Sequence, residues 1–134
     1  MGKKKSVLFL CIGNCCRSQM AEGFALQLAG DKFEIYSAGS DPAGYVHPEA
    51  MAAMKEIGID MSAQWSKRVA DIPVKTFDYA VTMGCGVTCP IVPTKELIEW
   101  VIPDPIGRGQ DFFNKIRDDL GKRVKDLMER INRE

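Results

Sequence analysis

One stretch constrains this chain more than any other: Val7-Leu8-Phe9-Leu10 followed by Cys11-Ile12-Gly13-Asn14-Cys15-Cys16-Arg17-Ser18. The four apolar residues read as a buried strand and residues 19–29 as an amphipathic helix, so the segment between them is a loop leading into a helix N-terminus. Backbone N–H groups converge in such a loop, the helix end adds about half a positive charge, and Arg17 adds a planar fork of donors. Ile12, Gly13, Asn14, Cys15, Cys16 and Arg17 are therefore expected to cradle a tetrahedral oxyanion. Cys11 then sits beneath the anion, in a field that favours the nucleophilic thiolate. Ser18 is expected to cap the helix and to donate its hydroxyl to the Cys11 sulfur. Gly13 and Asn14 are residue types suited to the positive φ that a tight loop requires. The bland alternative is a structural cysteine in an ordinary turn. It leaves the order of strand, cysteine, Gly-Asn, arginine and serine without a reason.

The 134 residues suit one domain, and 18 Lys and Arg balance 18 Asp and Glu. That balance argues against a broad nucleic-acid or membrane surface and leaves a local positive site as the main electrostatic feature. Five cysteines is an odd number in a chain large enough to fold without staples. Reduced thiols in a cytoplasmic protein are expected. Met1-Gly2-Lys3-Lys4-Lys5-Ser6 matches a myristoylation pattern by letter, but the apolar run after it is too short for a signal peptide and ends in the site loop.

Met20, Phe24 and Leu28 form an apolar stripe on the first helix, and residues 33–38 read as a second strand. Pro48 opens a helix running to Gly58, with Ala50, Met51, Met54 and Ile57 on its buried side. His47 reads as the residue entering that helix rather than as a ligand. Residues 64–76 carry no clear pattern. A third strand is expected over residues 79–83, a loop or single turn over 84–93, a short helix over 95–99, and a fourth strand over 100–102. Phe113, Ile116, Leu120, Val124, Leu127 and Ile131 repeat at helical spacing within residues 110–133. Alternating strands and helices predict an α/β fold: one domain over residues 1–134, a four-stranded parallel sheet with helices on both faces. Ligands bind such sheets beyond the C-terminal strand ends, which is where Cys11, Cys85 and Asp104 fall.

Cys11 followed by five residues and Arg17-Ser18 resembles the phosphate loop of the low-molecular-weight protein tyrosine phosphatase superfamily. Cys-Ile-Gly-Asn-x-Cys-Arg-Ser-Gln-Met-Ala-Glu-Gly is similar to its arsenate reductase branch. The likeness continues through Tyr36-Ser37-Ala38-Gly39, Val46-His47-Pro48-Glu49-Ala50, Val81-Thr82-Met83 and Asp104-Pro105. The resemblance implies that Cys11 is the nucleophile and that Asp104 protonates the leaving oxygen. Phosphatases of the family follow Asp-Pro with tyrosine, a wall for phenolic substrates; Ile106-Gly107 stands here instead. Some arsenate reductases bind potassium through groups corresponding to Asn14, Glu22, Ser37 and an acidic residue. Lys67 stands where that acid is expected, so neither a potassium site nor any other metal or cofactor is expected.

Cys85 and Cys89 separate the branches, because a phosphatase needs no further thiol whereas a reductase draws two electrons from a thiol pair. Extended, the two would lie about 13 Å apart, and one helical turn would bring them within the about 4.4–6.8 Å that a disulfide needs. A redox relay, half of a metal site and unrelated core thiols are the three readings of the pair. Cys16 matches a family cysteine and Cys15 is an additional thiol. The function expected is reduction of arsenate to arsenite by a Cys11, Cys85, Cys89 relay in a cytoplasmic monomer, served by a thioredoxin-like or glutaredoxin-like reductant. The rivals are a phosphatase acting on phosphotyrosine or a small phosphomonoester, and a non-catalytic thiol sensor or metal-binding module.

Overall fold

The apolar run Val7-Leu8-Phe9-Leu10 has no exposure at all, because it lies in a central strand covered on both faces. In the computed structural model, which describes residues 4–84 and 92–134, the order of elements is β1 (Lys5–Cys11), α1 (Arg17–Ala29), β2 (Phe33–Gly39), α2 (Pro48–Glu56), a 3-10 turn (Val69–Asp71), β3 (Phe77–Met83), β4 (Thr94–Trp100) and α3 (Gln110–Asn132). The four strands form one parallel sheet in the order β2-β1-β3-β4. The chain moves to one side of β1 to make β2 and to the other side to make β3. The resulting switch point lies at the C-terminal ends of β1 and β3, at Cys11 and Met83, the place where such sheets bind ligands.

Alternate side chains of β1 feed different layers. Val7 and Phe9 join Met20, Ala21, Met54, Phe113, Leu120 and Val124 in a core shared with α1, α2 and α3. Leu8 and Leu10 join Ala38, Ile72 and Phe77 on the opposite face, beneath the 3-10 turn and its flanks. All six apolar positions that define α3 are buried. Helix α3 closes on α1 at Gly121, where a Cβ would stand 2.8 Å from the Phe24 ring.

Several expectations need correcting. Residues 95–99 are not a helix: Thr94–Trp100 is a single strand, β4, in register with β3 from Phe77↔Thr94 to Met83↔Trp100. Its residues alternate between half-buried and exposed, with Ile98 and Trp100 against the core and Lys95, Leu97 and Glu99 facing out. Five helix-forming residues cannot offset the cost of helix nucleation, whereas strand pairing supplies a ladder at once. Leu28 and Ile57 are exposed, at 48% and 41%. Ala21, Ala25 and Ala29 seat α1 closely instead, and Ile57 is the C-cap of α2. His47 is the N-cap of α2, accepting the Glu49 N–H at Nδ1, with Pro48 in the first turn.

Candidate active site

The loop after β1 is shaped by what its carbonyls bond. Ile12 O accepts from Asp41 N, Gly13 O from Ala43 N and Ser66 Oγ, Asn14 O from Gln19 Nε2, Cys15 O from His47 N, and Cys16 O from Met20 N, all at 2.7–3.1 Å. In a planar trans peptide the next N–H points opposite to the carbonyl. With these carbonyls tied to surrounding elements, the N–H groups of residues 13–17 turn to the other side. Among the described residues, none of the N–H groups of Gly13 through Cys16 donates to a backbone carbonyl. Without acceptors among the described residues, they are donors of the kind that binds an anion. Asn14 carries φ 45° and makes the turn; Gly13 does not adopt positive φ, and its lack of a side chain matters because a Cβ would stand 3.2 Å from Cys15 Sγ.

Cys11 Sγ and Ser18 Oγ are 2.9 Å apart in the buried base of the loop. Ser18 is not the helix cap. The N-cap is Cys16, without a side-chain bond, and Ser18 sits inside the first turn, where its oxygen accepts from Asn14 Nδ2 at 2.8 Å. That leaves its own hydrogen free for the Cys11 sulfur. Arg17 is buried, with Nη1 donating to Met83 O at 2.7 Å and Ile102 O at 3.0 Å. One side chain thus ties the loop to the end of β3 and to the segment after β4. Among the described residues its buried Nε has no hydrogen-bond partner, leaving a donor that an oxyanion would satisfy.

Asp104 follows β4 on an exposed turn, its Oδ1 accepting the Ile106 N–H at 3.1 Å. Its charge reaches the loop and opposes ionisation of both Cys15 and Cys16. The neighbouring Cys16 thiol holds the Cys15 pKa down, and Cys15 together with burial pushes the Cys16 thiol up. Cys85 and Cys89 lie outside the described residues. The chain leaves β3 towards them at Gly84, with φ 84°.

A second ring of residues holds the loop from below. Asn14 Nδ2 also donates to Ser37 Oγ at 3.0 Å, and Asn14 Oδ1 accepts from Lys67 N at 2.9 Å and Gln19 Nε2 at 3.0 Å. Gln19 Nε2 reaches Trp65 O, and Gln64 Nε2 returns to Gln19 O and Oε1. The Lys67 ammonium lies 2.9 Å from Trp65 O, 3.5 Å from Ser37 Oγ and 3.8 Å from Glu22 Oε1, and Ser37 Oγ donates to Glu22. Potassium does not fit this donor set: an ammonium already stands among the oxygens, with one carboxylate to balance it. Burial pushes the Glu22 carboxyl up and the Lys67 ammonium down, and their mutual attraction opposes both shifts. Gln64, Ser66 and the Trp65 carbonyl had no signal in the sequence, because a carbonyl has no letter and residues 64–76 have no periodicity.

Residues 6–134 match the family model described as low molecular weight phosphotyrosine protein phosphatase. An arsenate reductase of Halalkalibacterium halodurans is 43% identical, over 94% of this chain and 96% of that protein. A solved arsenate reductase in its phosphate-binding state superposes with a TM-score of 0.84 at 36% identity, covering 95% of this chain and 98% of the other. A thioredoxin-dependent arsenate reductase of Corynebacterium glutamicum gives 0.82 at 33% identity, covering 98% of this chain and 63% of that one. With its loop, its sheet order and these matches, the chain belongs to the low molecular weight phosphotyrosine protein phosphatase family.

Proposed function

We propose that this protein reduces arsenate to arsenite through a thiol–disulfide relay. The observation that carries the reading is the Cys11–Ser18 pair at 2.9 Å, beside loop amides and an Arg17 Nε that have no acceptor among the described residues, in a chain with relatives named arsenate reductases. Arsenate binds to the amides of residues 13–17 and to Arg17. The Cys11 thiolate attacks arsenic, Asp104 gives its proton to the departing oxygen, and water leaves. Arsenic is still As(V) at this point.

Reduction comes with the second thiolate. Cys85 attacks the Cys11 sulfur; the Cys11–Cys85 bond forms, the sulfur–arsenic bond breaks, and its electron pair stays on arsenic, which departs as arsenite. Cys89 then attacks Cys85, forming Cys85–Cys89 and returning Cys11 as thiolate. A thioredoxin-like or glutaredoxin-like dithiol reduces that disulfide and is oxidised in turn. The thioredoxin dependence of the Corynebacterium relative supports the first of these donors. The protein works as a cytoplasmic monomer of one domain, in a compartment that keeps thiols reduced. Among the described residues no helix is long and apolar enough to cross a membrane. The family match favours a residual activity on phosphate monoesters, since phosphate shares arsenate's charge and shape.

Single-turnover assays of two variants test the relay. Cys89→Ser should release about one arsenite per molecule and stall as a Cys11–Cys85 disulfide, whereas Cys85→Ser should release almost none. A Cys11–Cys89 disulfide with Cys85 dispensable would reverse the order. No disulfide in any variant would end the reductase reading.

A further inference from the structure

Lys67 is a buried charged residue that the chemistry above does not use, and its placement is costly. Its side chain is 9% exposed and its ammonium faces Trp65 O, Ser37 Oγ and Glu22 Oε1, with the Trp65 ring centroid 5.2 Å away. A long, strongly hydrated cation gains little from burial as such, so its retention calls for a task. Two routes lead from it to the loop. Its own N–H bonds Asn14 Oδ1, and its ammonium bonds the Ser37 hydroxyl that accepts from Asn14 Nδ2. Asn14 in turn bonds the Ser18 oxygen, which touches the Cys11 sulfur. Lys67 O also accepts the Gly39 N–H, fixing the same residue to the end of β2.

We propose that Lys67 is a positioning residue whose ammonium serves as a built-in cation, holding Glu22, Ser37 and Asn14 so that Ser18 and Cys11 stay in register. The site therefore works without a free monovalent cation. For catalysis the inference rests on the proposed function, but its geometric content does not. A Lys67→Ala variant keeps the backbone N–H bond to Asn14 and loses the ammonium together with the aliphatic stem that carries it. It leaves a polar space beside a surface cleft of about 320 Å³ lined by Glu22, Trp65 and Lys67, through which a small cation can enter.

The test uses the full chain and two readouts: arsenate reduction with thioredoxin and its reductase, and the rate of Cys11 alkylation by iodoacetate, followed by peptide mass spectrometry. Wild type should respond equally to potassium, methylammonium and tetramethylammonium chlorides at constant ionic strength. Lys67→Ala should lose about tenfold in kcat and in alkylation rate, with a smaller change in KM, since displaced catalytic groups cost rate more than binding. Potassium or methylammonium should restore most of both losses and the bulkier tetramethylammonium should not. Lys67→Gln, which keeps a donor for Trp65 O, carries the same comparison if the alanine variant does not fold. Wild-type rates in both variants, or equal rescue by tetramethylammonium, would overturn the proposal. If no protein reduces arsenate yet Cys11 alkylation follows the cation pattern, the positioning role stands and the reductase reading falls.

Discussion

Replacing Asn14 by alanine and by glycine separates two contributions that the structure combines in one residue. Asn14 is wholly buried at φ 45°, and its amide makes four hydrogen bonds: to Ser18 Oγ, Ser37 Oγ, Lys67 N and Gln19 Nε2. Both substitutions leave the Lys67 N–H as a buried donor without its partner, at about 1–3 kcal/mol. The serine hydroxyls and Gln19 keep other partners, so their losses are smaller. Alanine also has to adopt a left-handed conformation, at about 1–2 kcal/mol, which glycine adopts freely; glycine gives back part of that advantage through its more flexible unfolded chain. Asn14→Ala should therefore cost about 3 kcal/mol, and Asn14→Gly about 1 kcal/mol less. For a domain of this size the alanine variant should melt about 10 °C below wild type. Thermal and urea unfolding followed by circular dichroism, in reducing buffer free of oxyanions, measures both. An alanine variant as stable as the glycine variant would refute the assignment of strain to φ. A loss under about 1 kcal/mol in both would mean that the four bonds do not hold the loop.

Two further outcomes follow from individual groups. Asp104→Asn should slow adduct formation by about 10²–10⁴-fold while phosphate binding persists, read by rapid-quench arsenate turnover and by phosphate titration; unchanged turnover would remove Asp104 from the chemistry. The Glu22 carboxyl is held above its ordinary 4.5, chiefly by burial, so the native state keeps that proton to higher pH than the unfolded chain does. Ionising Glu22 therefore costs stability as pH rises from 4.5 through the raised value, and Glu22→Gln should flatten that part of the curve of unfolding free energy against pH; an unaltered slope would assign it to other groups.

How much was legible in the sequence depends on whether a residue's role is local. The strand, loop and helix from Val7 to Ala29 could be read because each signal lies within a few residues of the next, and the six apolar positions of α3 because helical spacing repeats over its whole length. Lys95-Glu96-Leu97-Ile98-Glu99 suggests a helix because Lys, Glu and Leu are good helix formers, whereas pairing with β3 decides that it is strand β4. Serine ahead of an apolar helix usually caps it, which is the expectation for Ser18; the helix begins at Arg17, two residues before the expected start at residue 19, and the hydroxyl turns to Asn14 and Cys11. The clasp of Gln64, Trp65 and Ser66 against the loop was invisible, since contacts between residues about fifty apart leave no periodic trace.

The loop alone cannot tell arsenate from phosphate, and that places the selectivity of the proposed reaction elsewhere. Amides and a guanidinium recognise charge and tetrahedral shape, which the two anions share, and Ile106 offers no aromatic wall to favour an aryl ester. Both anions can be attacked by Cys11, and both adducts can return by hydrolysis. They differ only when a second thiolate attacks the Cys11 sulfur: arsenic can keep the bonding pair and leave as As(III), whereas phosphorus has no comparably accessible lower state. Arsenate is therefore distinguished by the step that consumes the adduct, not by the step that forms it. Phosphate should then compete for the same amides as an inhibitor without being reduced. The fold's contribution is to bring the nucleophile, the buried arginine and the start of the segment carrying Cys85 to neighbouring strand ends, where Arg17 spans the carbonyls of Met83 and Ile102.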